Sequence, residues 1–205
     1  PVRTVLLATS NPHKLDEVRQ ILAPTETTVL GLDSLGLDLE EPVEDGTTFA
    51  ENARIKALYY ARHTDRMCLA DDSGLVVDGL GGAPGIHSAR YSGVNGPRDV
   101  RDRANNEKLV GELESIPDSG RSARFVCAMC FADPEGRVLL ESTGTFEGVI
   151  VDVPRGTNGF GYDPHFMVPS LGRTAAELSP EEKNELSHRG RATANMLALL
   201  RSSKV

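Results

Sequence analysis

The chain has 205 residues, 39% of them hydrophobic and 25% charged, the composition of an ordinary globular protein long enough to bury a sizeable core. Its formal net charge of −8 lacks the basic excess that gripping a nucleic-acid backbone requires, so any nucleotide partner is expected to be a small molecule and not a polymer. No apolar run approaches the roughly 20 residues that cross a bilayer, and Pro1-Val2-Arg3-Thr4-Val5 lacks the apolar stretch of a secretion signal, so a cytoplasmic protein without a membrane partner is expected.

Val5-Leu6-Leu7-Ala8 reads as a short strand, and Thr9-Ser10-Asn11-Pro12-His13-Lys14 turns it into a helix that places Leu15, Val18, Ile21 and Leu22 on one face. Asn11 suits an N-cap and Pro12 the first helical position. Such a start offers backbone N–H groups to an anion, with Lys14 as an added cation; it reads either as a phosphate site or as an ordinary capped helix. Residues 31 to 42 form a connector carrying Asp33, Asp38, Glu40 and Glu41, and Glu44 and Asp45 follow as further carboxylates suited to a metal. A second helix opens with the capping box Thr48-Phe49-Ala50-Glu51 and runs to about Arg62, burying Phe49, Ala53, Ala57, Leu58 and Ala61. Asn52 and Lys56, four apart, share a face of it, and without further signals that face reads as solvated.

The apolar run Met67-Cys68-Leu69-Ala70 gives way to Asp71-Asp72-Ser73-Gly74, which reads as a strand end passing into a Ser-Gly turn. Two carboxylates there are placed either to hold a metal or to bond only the local backbone. Residues 98–114 predict an amphipathic helix through Val100, Ala104, Val110 and Leu113. A β-hairpin follows, with 123–131 pairing with 137–151 across Asp133-Pro134-Glu135-Gly136. Cys127 and Cys130 alternate to opposite faces of that strand, and with Cys68 they leave an odd thiol, so buried reduced cysteines are expected.

In Gly159-Phe160-Gly161-Tyr162-Asp163-Pro164, glycines flank an aromatic ring that either stacks on a flat ligand or pins a tight turn. The last helix carries a capping box, Ser179-Pro180-Glu181-Glu182, and a break at Ser187-His188-Arg189-Gly190, where a solvated His-Arg pair is the default expectation. A hairpin among βα units predicts a mixed sheet, and no linker divides the chain.

Taken together, Thr9-Ser10-Asn11 with Lys14, Phe49 with Glu51-Asn52-Ala53 and Lys56-Ala57, Asp71-Asp72-Ser73-Gly74-Leu75, Leu80-Gly81-Gly82-Ala83-Pro84-Gly85, Ser88-Ala89-Arg90-Tyr91-Ser92-Gly93, the 159–164 loop, and Glu182-Lys183 with Ser187-His188-Arg189-Gly190 resemble the inosine triphosphate pyrophosphatase family, in order along the chain. The resemblance implies an α/β fold over 1–205 as a single elongated domain, with a mixed central sheet, helices on both sides and a substrate cleft between two lobes. It implies a homodimer and a Mg²⁺-dependent, house-cleaning hydrolysis of dITP, ITP or XTP to the monophosphate and pyrophosphate. Carried onto this chain, it makes Asp72 the catalytic and metal-binding carboxylate, with Glu44, Glu40 or Glu41 as second ligand. It sets Thr9, Ser10, Asn11, Lys14, Lys56 and Ser73 around the triphosphate, and Phe160, Gly161, Tyr162, Asp163, Lys183, His188 and Arg189 around the base.

Overall fold

The computed structural model describes residues 3–25 and 27–203. In chain order the strands and α-helices are β1 (Arg3–Leu7), α1 (Pro12–Leu22), β2 (Thr27–Gly31), α2 (Phe49–Thr64), β3 (Cys68–Val77), α3 (Arg98–Leu113), β4 (Ser122–Ala132), β5 (Val138–Ile150), β6 (Phe166–Val168), β7 (Arg173–Thr174), α4 (Pro180–Leu186) and α5 (His188–Ser202). The strands form one seven-stranded sheet in the order β2-β1-β3-β4-β5-β6-β7. β1 is parallel to both β2 and β3, whereas β6 is antiparallel to β5 and β7, so the expected mixed sheet is present. Among the described residues no helix is long and apolar enough to cross a membrane.

The chain divides into two compact units. The first comprises the residues up to Asp72, Cys127–Gly144, and those from His188 onward. Its strands β1, β3 and β4 bury both faces. Val5, Leu7, Leu69, Cys127, Met129 and Phe131 pack with Val18 and Leu22 of α1 and Ala192 and Met196 of α5. Their sequence neighbours Leu6, Ala8, Cys68, Ala70, Ala128, Cys130 and Ala132 pack with Ala53, Ala57, Tyr60 and Ala61 of α2. This is the period-two alternation of a strand covered on both sides, with small residues letting α2 lie close to the sheet. Cys127 and Cys130 thus lie on opposite faces, and all three cysteines are buried free thiols. Burial pushes the Cys127 and Cys130 thiols up to about 12, so neither is ionised at neutral pH.

The second unit comprises Ser73–Val126 and Thr145–Ser187. Its core gathers Leu75 and Val77 of β3, Leu109 and Leu113 of α3, Phe125 of β4, Phe146 and Ile150 of β5, and Phe166 of β6. Phe166 meets Phe125 and Phe146 at ring separations of 4.5 and 5.2 Å.

Local signals set several boundaries as expected. Asn11 caps α1, its side chain accepting the His13 N–H, and the capping boxes Thr48/Glu51 and Ser179/Glu182 start α2 and α4. The hairpin turn at Asp133 closes with a bond from Asp133 N–H to the Arg137 carbonyl. Residues 27–31, which precede the expected connector and share Gly31 with it, form β2. Three expectations are corrected. α3 buries Asn105, Leu109 and Leu113, whereas Val100 is 43% exposed, because nine helical residues place it on the side opposite Leu109. Phe49 and Leu58 are only partly buried, and Tyr60 takes the deeper position in α2. Finally, Asp71-Asp72-Ser73-Gly74 is no turn: β3 runs unbroken from Cys68 to Val77.

Two glycine substitutions test the packing. A Cβ at Gly144 of β5 would lie 2.2 Å from the His188 carbonyl oxygen and 2.5 Å from Ala192 N, so backbone would have to move. Gly144→Ala should therefore lower stability by about 1–3 kcal/mol in urea unfolding. Gly111→Ala, on α3 with nothing within 4 Å of the new Cβ, should raise it by about 0.5–1 kcal/mol.

Candidate active site

β3 carries Asp71 and Asp72 within the first unit, and alternation sends them to opposite faces of the sheet. Asp71 continues the Leu69 face, against α1 and α5. Its carboxylate receives Lys14 Nζ at 2.9 Å and lies 3.5 Å from the Arg189 guanidinium, with the Cys127 thiol at 3.9 Å. Arg189 is itself 1% exposed and donates to Glu17 Oε2 at 2.5 Å. Burial alone would raise the Asp71 pKa, but Lys14, Arg189 and Lys56 outweigh it and hold the carboxyl well below the usual aspartate range.

Asp72 continues the Ala70 face, against α2. Asn52 Nδ2 donates to its Oδ2 at 3.2 Å, and Lys56 Nζ lies 3.5 Å from its Oδ1. The face carrying Asn52 and Lys56 is therefore not solvated: Asn52 is 1% exposed and Lys56 faces two acids. The second is Glu44, whose Oε2 is 3.0 Å from Lys56 Nζ. Asn52 also accepts the Gly46 N–H at 2.9 Å, so one side chain fixes Asp72 and pins the segment that carries Glu44. Glu40 and Glu41 are exposed. Burial raises the Asp72 pKa; Lys56 and Lys14 pull it down, Glu44 pushes it up, and the balance lies above the ordinary value. Burial pulls the Lys56 ammonium down, yet Asp72, Asp71 and Glu44 together raise it, so it stays charged. The two neighbouring carboxylates are thus tuned in opposite directions, Asp71 toward a fixed anion and Asp72 toward a better proton acceptor.

At the start of α1, Thr9 Oγ1 accepts the Asn11 N–H at 3.1 Å and Asn11 Oδ1 accepts the His13 N–H at 3.0 Å, while Ser10 is exposed. Ser73 follows Asp72 on β3, half-buried.

A second cluster lies within the other unit. Asp163 Oδ2 accepts the Phe160 N–H at 2.9 Å and Lys183 Nζ at 2.8 Å, and Lys183 Nζ sits 4.7 Å from the Phe160 ring centroid. Gly159 has φ +73°, and a Cβ there would meet Asp163 Oδ2 at 2.1 Å, so only glycine fits. Gly161 follows with φ +62°. Tyr162 belongs to the core and its hydroxyl donates to the Ser88 carbonyl at 2.7 Å. α4 ends at Leu186, Ser187 is extended, and α5 begins at His188, so the expected break is present. The pair after it is not solvated, however, with His188 at 6% and Arg189 at 1% exposure.

Nothing local marks Glu17 and Asp71 as partners of Arg189, which is 172 and 118 residues away from them in sequence. Asp71→Asn removes the charge that Lys14 and Arg189 share and should cost about 3–5 kcal/mol at neutral pH. Because folding lowers the Asp71 pKa, its stabilisation is complete above the unfolded value and is lost as pH falls from about 4 toward the folded pKa. Urea unfolding should show the gap between wild type and Asp71→Asn narrowing below about pH 4, and a gap independent of pH would contradict the assignment.

Residues 5–199 match the family model described as the Ham1 family. Over 203 residues the chain is 46% identical to the dITP/XTP pyrophosphatase of Yersinia pestis, covering 98% of this chain and all of the relative. It is 50% identical over 190 residues to the dITP/XTP pyrophosphatase of Geobacter sulfurreducens, covering 93% and 92%. Among solved structures, a HAM1 protein from Coxiella burnetii superposes with TM-score 0.86 at 41% identity, covering 98% of this chain and 100% of that one. The dITP/XTP pyrophosphatase of Mycobacterium abscessus gives 0.75 at 44% identity, covering 95% and 98%. With its strand order, its paired aspartates and these matches along nearly its whole length, the chain belongs to the Ham1 family.

Proposed function

We propose that the chain, acting as one catalytic domain over 1–205, hydrolyses deaminated purine nucleoside triphosphates such as dITP, ITP and XTP to the monophosphate and pyrophosphate. The observation that carries this reading is Asp72, a partly buried carboxylate of raised pKa between Lys56 and Asn52, in a chain whose relatives are named dITP/XTP pyrophosphatases. The family resemblance adds a homodimer to the reading.

The donor set supports a divalent cation. Asp72 and Glu44 both face the single ammonium of Lys56, and Glu44 raises the Asp72 pKa, so two hard oxygen donors stand with less positive charge than Asp71 receives. Mg²⁺ takes one or two carboxylates together with phosphate oxygens and water, and Asp72 and Glu44 would supply the carboxylates. Bound there, it would neutralise charge across the substrate's phosphate oxygens.

In this reading Thr9, Ser10, Asn11, Lys14, Lys56 and Ser73 hold the triphosphate. Asp72 accepts the proton of a water that attacks the α-phosphorus, the bond to the β-phosphate oxygen breaks, and pyrophosphate leaves. Lys56, fixed beside Asp72, offsets the negative charge that develops on the leaving group. Lys14 contributes in two ways, directly and through its hold on Asp71.

Phe160, Gly161, Tyr162, Asp163, Lys183, His188 and Arg189 then serve the base. The Phe160 ring offers a stacking face, and Lys183, oriented by Asp163, offers N–H donors to a 6-oxygen. Adenine presents an amino group at that position, and each unmatched buried polar contact costs roughly 1–3 kcal/mol, so two or three would discriminate against ATP by about 10³-fold. Arg189, engaged with Glu17 and Asp71, has a second task in fixing the acidic pair.

Product analysis tests the reading. With Mg²⁺ and dITP or XTP the expected products are the monophosphate and pyrophosphate, with little turnover of ATP or GTP, and chelation should abolish the activity until Mg²⁺ is restored. Release of orthophosphate with a diphosphate, equal use of ATP, or tight binding of dITP without turnover would refute it.

A further inference from the structure

The loop carrying Phe160 is held from within and from outside. Asp163 accepts the Phe160 N–H at 2.9 Å and donates its own N–H to the Phe160 carbonyl at 3.3 Å, while Gly159 and Gly161 both adopt left-handed φ, a region glycine enters without steric penalty. A Cβ on Gly161 would meet nothing within 4 Å, so close packing does not fix this residue.

What fixes it is helix α3. Asp102 Oδ2 accepts the Gly161 N–H at 3.0 Å, and Asn106 Nδ2 donates to the Gly161 carbonyl at 2.9 Å, so both backbone groups of one residue are taken by one helix. One turn earlier, Arg98 places its guanidinium carbon 4.7 Å from the Phe160 ring centroid, with Nε 3.7 Å from Asp102 Oδ2. Residues 98, 102 and 106 are four apart and form one stripe along α3. The residues that α3 buries, Asn105, Leu109 and Leu113, lie seven residues on from 98, 102 and 106, so the polar stripe continues the docking face toward the start of the helix and meets the Phe160 loop there. Asp163 completes the hold from the other end of the loop, through the Phe160 N–H.

We propose that Arg98, Asp102 and Asn106 are positioning residues that set the direction of the Phe160 ring and thereby the affinity for the base. The consequence for substrate rests on the reading of Phe160 as the stacking residue; the positioning itself does not. Without the two bonds to Gly161 the loop samples other glycine conformations, and the ordering is then drawn from the binding free energy of the base. The loss belongs in KM and leaves the chemical step largely alone.

The chain contains no tryptophan, so Phe160→Trp introduces a single fluorescent reporter at the ring itself. In that background, without nucleotide, Asp102→Ala is expected to lower the steady-state anisotropy of the tryptophan. Asp102→Asn, which keeps an oxygen to accept the Gly161 N–H, should restore it. Equal anisotropy in all three proteins would overturn the proposal. In the otherwise native enzyme, Asp102→Ala and Asn106→Ala should each raise KM for dITP about five- to tenfold with kcat within about twofold, and Asp102→Asn should recover most of the loss. A fall in kcat at unchanged KM, or equal damage from Asp102→Asn and Asp102→Ala, would overturn it. A drop in anisotropy in a protein that turns over no deaminated purine nucleotide would uphold the positioning and reject the substrate reading instead.

Discussion

A β-strand sends successive side chains to opposite faces, and at Asp71-Asp72 that constraint divides one acidic dipeptide between different helices. The face shared with Leu69 and Cys127 brings Asp71 to Lys14 of α1 and Arg189 of α5. The face shared with Ala70 brings Asp72 to Asn52 and Lys56 of α2. Asp71 receives two cations in a buried site and becomes part of the framework. Asp72 shares one ammonium with Glu44 and keeps a raised pKa. Residues of the same kind, adjacent in sequence, thereby acquire separate roles: Asp71 holds α1 and α5 to the strand, and Asp72 is left for chemistry. Few single changes could preserve this arrangement, because a one-residue slip of β3 would exchange the two environments.

The second unit solves a different problem. A flat ring can select a flat ligand only if its direction is set, and the residues beside Phe160 are glycines that do not set it. The structure resolves this with side chains on rigid elements: Asp163 on the Phe160 N–H, and Asp102 and Asn106 on the two backbone groups of Gly161. Glycine at 159 is required in its turn by Asp163, whose carboxylate occupies the space a Cβ would fill. Lys183 is anchored by the same carboxylate, so ring and ammonium are oriented together.

Much of this was legible in the sequence where the determinants are local. Asn11, the Thr48/Glu51 box and the Ser179/Glu182 box fix helix starts through bonds that span only two or three residues. The ordered blocks of polar motifs also point to the family on their own. What could not be read depends on distant partners. Asp71-Asp72-Ser73-Gly74 has poor β-propensity and reads as a turn, yet stays in a strand because Lys14 and Arg189 supply cations from far away in sequence. The solvated appearance of Asn52, Lys56, His188 and Arg189 fails for the same reason: Asn52, His188 and Arg189 are buried and Lys56 is partly buried, and Asp72 and Glu17, the partners of Asn52, Lys56 and Arg189, lie where pattern alone does not reveal them. The stripe of 98, 102 and 106 carries a signal, polar residues at helical spacing on the side that α3 buries further along, but its target, Gly161, is 59 residues from Asp102.

The division of labour between the two aspartates is most directly tested by single-turnover hydrolysis of dITP with Asp72→Asn, alongside its thermal unfolding. The substitution keeps the shape and one of the two acceptor oxygens that face Asn52 and Lys56, but removes charge and basicity. The expected result is a chemical step slowed about 10²-fold or more in a protein that unfolds within a few degrees of wild type. Unchanged turnover in the folded variant would remove Asp72 from the mechanism, and with it the account of why its neighbour is so firmly neutralised.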